Sequence, residues 1–125
     1  MRPLIPGDTM RWSWIVGAAH GLVGSAILFG TLHPLRDMLD AHALELIRVA
    51  SAIEIAQGLL LLILARIPRS TIPAALVAFG TTIWTAMIYI IVFTGQHPFD
   101  MAVPGGGAIM LLGWVALLFT SPGDR

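Results

Sequence analysis

Four long apolar runs, at residues 12–32, 49–67, 72–94 and 103–120, leave this chain few ways to fold. The hydrocarbon core of a bilayer is about 30 Å thick, and about 20 helical residues cross it. The runs measure 18 to 23 residues, so each is long enough. Hydrocarbon offers no hydrogen bonds, so every backbone amide must be satisfied within the protein. None of the runs shows the two-residue alternation of a barrel strand, which leaves helices. The first run is longer than a cleaved leader and has no small-x-small site after it, so it reads as a span.

Composition agrees. Hydrophobic residues make up 57 % of the 125 and charged residues 11 %, with a mean hydropathy of +0.85. Soluble domains carry about a quarter charged residues, so this chain lacks the polar coat that water demands. That excludes a soluble enzyme and a disordered chain. Seven Arg against seven Asp plus Glu leave no net charge, which excludes a nucleic-acid partner. With no Cys there is no disulfide, thiolate nucleophile or thiolate metal ligand.

The links between runs are short, as antiparallel neighbours require. Pro68 and Pro73 stand between the second and third runs, where one ends a helix and the other suits a first turn. The segment 95–100 separates the third from the fourth. The longest link runs from His33 to about Leu44 and should lie in part as an amphipathic turn at the interface. A polar turn with Glu45 and Arg48 is expected to open the second span. The expected fold is all-α: an integral membrane, antiparallel four-helix transmembrane bundle, with residues 1–125 forming one membrane domain.

Arginine placement predicts orientation. Arg2, Arg11, Arg66, Arg69 and Arg125 fall on one side; Arg36 and Arg48 fall on the other, offset by Asp37, Asp40 and Glu45. Both termini are therefore expected in the cytoplasm of a bacterial cell, with the bundle in the inner membrane. Trp12 and Trp14 beside Arg11 read as an interfacial anchor.

A few polar groups fall inside the runs. Glu54 is the sharpest, because an ionised carboxylate at mid-bilayer costs about 3 kcal/mol or more to insert. Ser51, Glu54, Gln57 and Gly58 form one stripe at helical spacing, facing protein or a water-filled cavity. Glu54 is either a carboxyl hydrogen-bonded across helices or a proton carrier, cation ligand or acid/base group. His20 lies in the first span among Gly17, Gly21 and Gly24, and Gly17-x-x-x-Gly21 permits close helix contact. It is a core donor or a ligand, and pairing with Glu54 would offset the desolvation of both. Thr82, Thr85 and Tyr89 share a face of the third span. Their hydroxyls are expected on carbonyls one turn back, with a Tyr89 phenol facing Glu54 as the alternative. Gly105, Gly106, Gly107 and Gly113 read as close-packing positions. His33 and His42 lie in the first long link, where acidic neighbours suggest a surface or a weak metal site, and His97 is loop; no spacing in the chain marks a defined metal centre.

Val103-Pro104-Gly105-Gly106-Gly107 followed by Gly113-Trp114, together with Tyr89 to Gly95 and Gly17-Ala18 with Gly21, resembles the YgdD/YwdK-like family of small four-span membrane proteins. That is a domain-of-unknown-function family. The likeness spans about 16–119. It departs at Ile53-Glu54-Ile55-Ala56-Gln57-Gly58, where the family commonly has Tyr-Gln-x-x-His-Ala, and at Thr85-Ala86-Met87, where it has Ser-Gly-Ser. A fainter likeness links Ala19-His20-Gly21, the stretch from Arg48 to Gly58 and Tyr89 to styrene oxide isomerase, a four-span enzyme with a haem-bound site between helices. The second-span His expected to bind haem there falls near Ser51, so haem binding would pass to His20.

Two functions follow as expectations. One is an accessory or oligomeric membrane protein, a homo-oligomer or part of a larger complex in the lipid bilayer, with a small polar intramembrane site. The other is a membrane-embedded isomerase acting on a small apolar substrate such as an epoxide or isoprenoid. There Glu54, His20, Gln57 and Tyr89 are the candidate catalytic residues, converging in one pocket, and His20 is the candidate cofactor ligand for haem. A proton or solute path would need an oligomer.

Overall fold

A computed structural model describes residues 10–121, and all of their regular structure is helical. The helices are α1 (Arg11–Gly30), α2 (Pro34–Met38), α3 (Ala41–Leu64), α4 (Thr71–Thr94) and α5 (Ala102–Leu117). Three of them, α1, α3 and α4, are long and apolar enough to cross a membrane; α5 is apolar but shorter, at 16 residues. This is compatible with a membrane helical bundle.

The helix ends differ from the sequence expectation in ways that local chemistry explains. Helix α3 starts at Ala41 rather than near Val49, because Asp40 caps it: its Oδ1 accepts from the Ala43 amide at 2.8 Å. The expected polar turn at Glu45 and Arg48 is therefore the first part of a continuous helix. At the other end α3 stops at Leu64, before Pro68, and the single hydroxyl proton of Ser70 is shared between the carbonyls of Leu64 and Ile67, both at 2.7 Å. Pro73 sits in the first turn of α4, where its missing amide leaves no helical bond unmade. Gly95 ends α4 at φ 70°, a left-handed cap that glycine adopts without strain. The long link holds the short helix α2. Arg2 and Arg125, used above for orientation, lie outside the described residues.

The helices pack as two close pairs joined along α3 and α4. In the α1/α3 pair, Gly17 and Gly58 lie face to face, and Gly24 lies against the Ser51 carbonyl. The Gly21 amide also lies against Gly58, so the Gly17-x-x-x-Gly21 step does bring α1 and α3 together, although a Cβ on Gly21 itself would meet open space. In the α4/α5 pair, Gly80 meets the Met110 amide and the Gly106 carbonyl, and Gly113 meets Val77. Gly105 faces open space and Gly107 meets only the Trp84 ring, so two of the four expected packing glycines bring backbones together. Between the pairs lies an apolar cluster of Leu61, Leu64, Ala74, Val77 and Ala78. Beside it Ser13 Oγ donates to the Leu61 carbonyl at 2.8 Å, and the Met10 amide donates to the Ala65 carbonyl at 3.1 Å.

Beside this apolar core the bundle buries many polar side chains and exposes many large apolar ones. Ser13, His20, Ser51, Glu54, Gln57, Thr81 and Thr85 are buried, while Leu22, Phe29, Ile63, Phe79, Leu111 and Phe119 are exposed. In water that exterior would be one continuous apolar patch; in lipid it is the ordinary outer surface.

Candidate functional site

Three helices carry a hydrogen-bonded chain through the middle of the bundle. Glu54, on α3, is 2 % exposed, and its Oε2 lies 2.6 Å from Nδ1 of His20 on α1. Its Oε1 accepts from the Tyr89 hydroxyl on α4. On the far side of the imidazole, His20 Nε2 lies 3.0 Å from Thr82 Oγ1, also on α4. Close approach of α1 to α3 at Gly17 and Gly58 brings the short reach from His20 to Glu54 within bonding range.

The partners fix how many protons the chain holds. Thr82 donates its only hydroxyl proton to the Ala78 carbonyl at 2.7 Å. Its oxygen therefore accepts from His20, which places a proton on Nε2. Tyr89 donates to Glu54 Oε1, so the Nδ1–Oε2 contact holds one proton between two acceptors. Whether that proton rests on nitrogen or oxygen, the pair carries no net charge. A carboxyl and an imidazole thus share burial without leaving an isolated ion in the bundle.

The remaining candidates go elsewhere. Gln57 does not join this chain: its Oε1 accepts from the Trp114 indole N–H on α5 at 3.0 Å, which ties α3 to α5. The four polar groups expected to converge thus divide into a trio and a separate Gln57–Trp114 link. Helical geometry gives the reason, since Glu54 and Gln57 are three residues apart, about 300° around the axis, and lean toward different neighbours. Thr85 bonds the Thr81 carbonyl at 2.8 Å, as expected for a hydroxyl one turn on. Ser51 turns back to the Arg48 carbonyl at 3.1 Å, and Arg48 donates to the Thr31 carbonyl at 3.2 Å. Thr81 Oγ1 is buried without a hydrogen-bond partner.

In the sequence Trp114 stands out only as part of a glycine-rich signature. Its indole N–H is an obligate donor inside an apolar run, and Gln57 is a polar side chain inside another; that pairing was the signal available. Haem does not fit His20. Both ring nitrogens are engaged, at 2.6 and 3.0 Å, so neither is free to bind iron.

Long apolar helices, a largely apolar exterior and a polar chain centred on buried Glu54 and His20 define the class as a helical membrane-type bundle. The chain belongs to the family described as protein of unknown function (DUF423), whose model matches residues 18–107. That stretch includes His20, Glu54, Gln57 and Tyr89, and ends before Trp114. No curated protein and no solved structure matches the chain.

Proposed function

We propose that this chain is an integral protein of the bacterial inner membrane, one domain crossing four times with both termini in the cytoplasm. It works as a homo-oligomer or as an accessory subunit of a larger membrane complex. One observation carries the reading: His20, Glu54, Tyr89, Gln57 and Trp114 are engaged with one another inside the bundle, and what the helices turn outward is largely apolar surface. A protein built this way presents packing faces to lipid and to other helices. The His20–Glu54–Tyr89 chain then acts as an uncharged clamp joining α1, α3 and α4. Cross-linking in native membranes, followed by mass measurement of the detergent-extracted particle, tests this. A cross-linked species larger than one chain is expected; a particle of one chain with no cross-linked product rejects it.

A second reading, the membrane-embedded isomerase, draws on a groove between α1 and α4. Its volume is about 560 Å³, and Trp12, Val16, Ala75, Leu76, Ala78, Phe79 and Thr82 line it. Thr82 is the polar side chain of that lining and is bonded to His20 Nε2. A small apolar molecule in the groove would lie one hydrogen bond from the proton-holding pair. Isomerisation of an epoxide to a carbonyl needs a proton lent to oxygen and later returned, with no net change in the enzyme. Incubating the purified protein with a small aryl or alkyl epoxide and assaying for the aldehyde tests it. Product lost on Thr82→Val substitution supports the reading, and no product from the parent protein rejects it.

A further inference from the structure

A second cavity lies at the end of the bundle where α3 begins, α4 ends and α5 begins, and none of its lining residues belongs to the His20–Glu54–Tyr89 chain. Its volume is about 510 Å³, within the range of about 300–1,000 Å³ typical of small-molecule sites. Its walls are apolar: Leu46 from α3, Ile88, Ile91 and Val92 from α4, and Val103 from α5. Its rim is not. Asp40 and Asp100 stand there with His42, His97 and Phe99.

The charge at the rim is unbalanced. Among the described residues neither Asp40 nor Asp100 has an ion-pair partner, and no Arg lines the cavity. Asp40 uses Oδ1 to cap α3, which leaves Oδ2. Asp100 precedes α5, yet that helix makes no side-chain cap bond, so its carboxylate is not engaged by the helix. The N-termini of α3 and α5 each present about half a positive charge, and the C-terminus of α4 about half a negative one, so the two carboxylates dominate. Phe99, 69 % exposed, adds an aromatic face that attracts cations. These acidic and imidazole groups do not gather into a metal-ligating set among the described residues. A bare metal ion would also leave the apolar walls without a role.

We propose that this cavity binds a small amphiphilic ammonium compound, free rather than part of a bilayer lipid. The cationic head lies between Asp40 and Asp100 against the Phe99 ring. The apolar stem lies along Leu46, Ile88, Ile91 and Val103. Carboxylates at the mouth reject an anionic head of the same length, and the depth of apolar wall rejects a simple hydrated cation.

The test uses octyltrimethylammonium, titrated below its micelle concentration into the full chain in maltoside detergent and read by equilibrium dialysis. Saturable binding is expected, with octyl sulfate failing to compete. The pair Asp40→Asn and Asp100→Asn should weaken binding about tenfold or more while leaving the melting temperature close to the parent's, since Asn also caps a helix. Val103→Trp should fill the cavity and remove binding; should that variant fail to fold, Leu46→Phe takes its place. Octyl sulfate binding equally well, or either set of substitutions leaving binding unchanged, overturns the proposal. So does loss of binding when the protein sits in phosphatidylethanolamine vesicles but not in phosphatidylglycerol vesicles, because a lipid head would then be the occupant.

Discussion

Gly17 of α1 and Gly58 of α3 oppose each other so closely that a Cβ on either would stand 2.7 Å from the carbonyl oxygen of the other. Backbone meets backbone there, with no flexible side chain to give way. Gly17→Ala or Gly58→Ala is therefore expected to push the helices apart at a cost of about 1–3 kcal/mol. Gly21, one turn on from Gly17, has nothing within 4 Å of such a Cβ. Gly21→Ala should be neutral or stabilising, by up to about 1 kcal/mol from helix propensity. Thermal unfolding of the three variants in one detergent separates contact from propensity. Equal destabilisation of all three would contradict the packing.

Glu54 accepts from Tyr89 and shares a proton with His20. A glutamine in its place keeps one oxygen for the phenol and offers an amide proton to Nδ1, so Glu54→Gln should hold the fold to within about 1 kcal/mol. Glu54→Leu leaves Nδ1 of His20 and the Tyr89 phenol without partners. Its expected cost is about 1–2 kcal/mol, the size of interhelical hydrogen bonds in membranes. Detergent melting curves check both, and a Glu54→Leu protein more stable than the parent would show the clamp adds nothing.

Trp114 and Gln57 form the polar link from α5 to α3. Trp114→Phe and Gln57→Leu should each destabilise, and the double variant should cost less than their sum, with a coupling of about 0.5–1.5 kcal/mol. A double-mutant cycle on unfolding free energies reads this directly; strict additivity would mean the contact carries no energy.

Orientation is open to chemical labelling. With the termini in the cytoplasm, Arg36→Cys reacts with an impermeant thiol reagent added to intact spheroplasts, whereas Arg69→Cys reacts only after permeabilisation. Because the chain has no Cys, each label reports one position. The reverse pattern would invert the topology.

The three long spans could be read from the residues because the solvent problem is one-dimensional: an apolar run either covers the hydrocarbon thickness or falls short. The fourth run is the instructive case, since 18 residues read from the sequence become a helix of 16. Boundaries depend on capping contacts that hydropathy does not encode, such as Asp40 with Ala43 or Ser70 with Leu64.

What the sequence determined alone is therefore the helical state of the chain, the lipid-like exterior and the shortlist of buried polar side chains, all consequences of local composition and period. The tertiary structure decided which of those side chains meet. Glu54 and Gln57 share a stripe, yet one turns to His20 and Tyr89 and the other to Trp114. Pairing is set by helix rotation and by how far glycines let backbones approach. Those quantities belong to the relation between helices, and no single segment contains them.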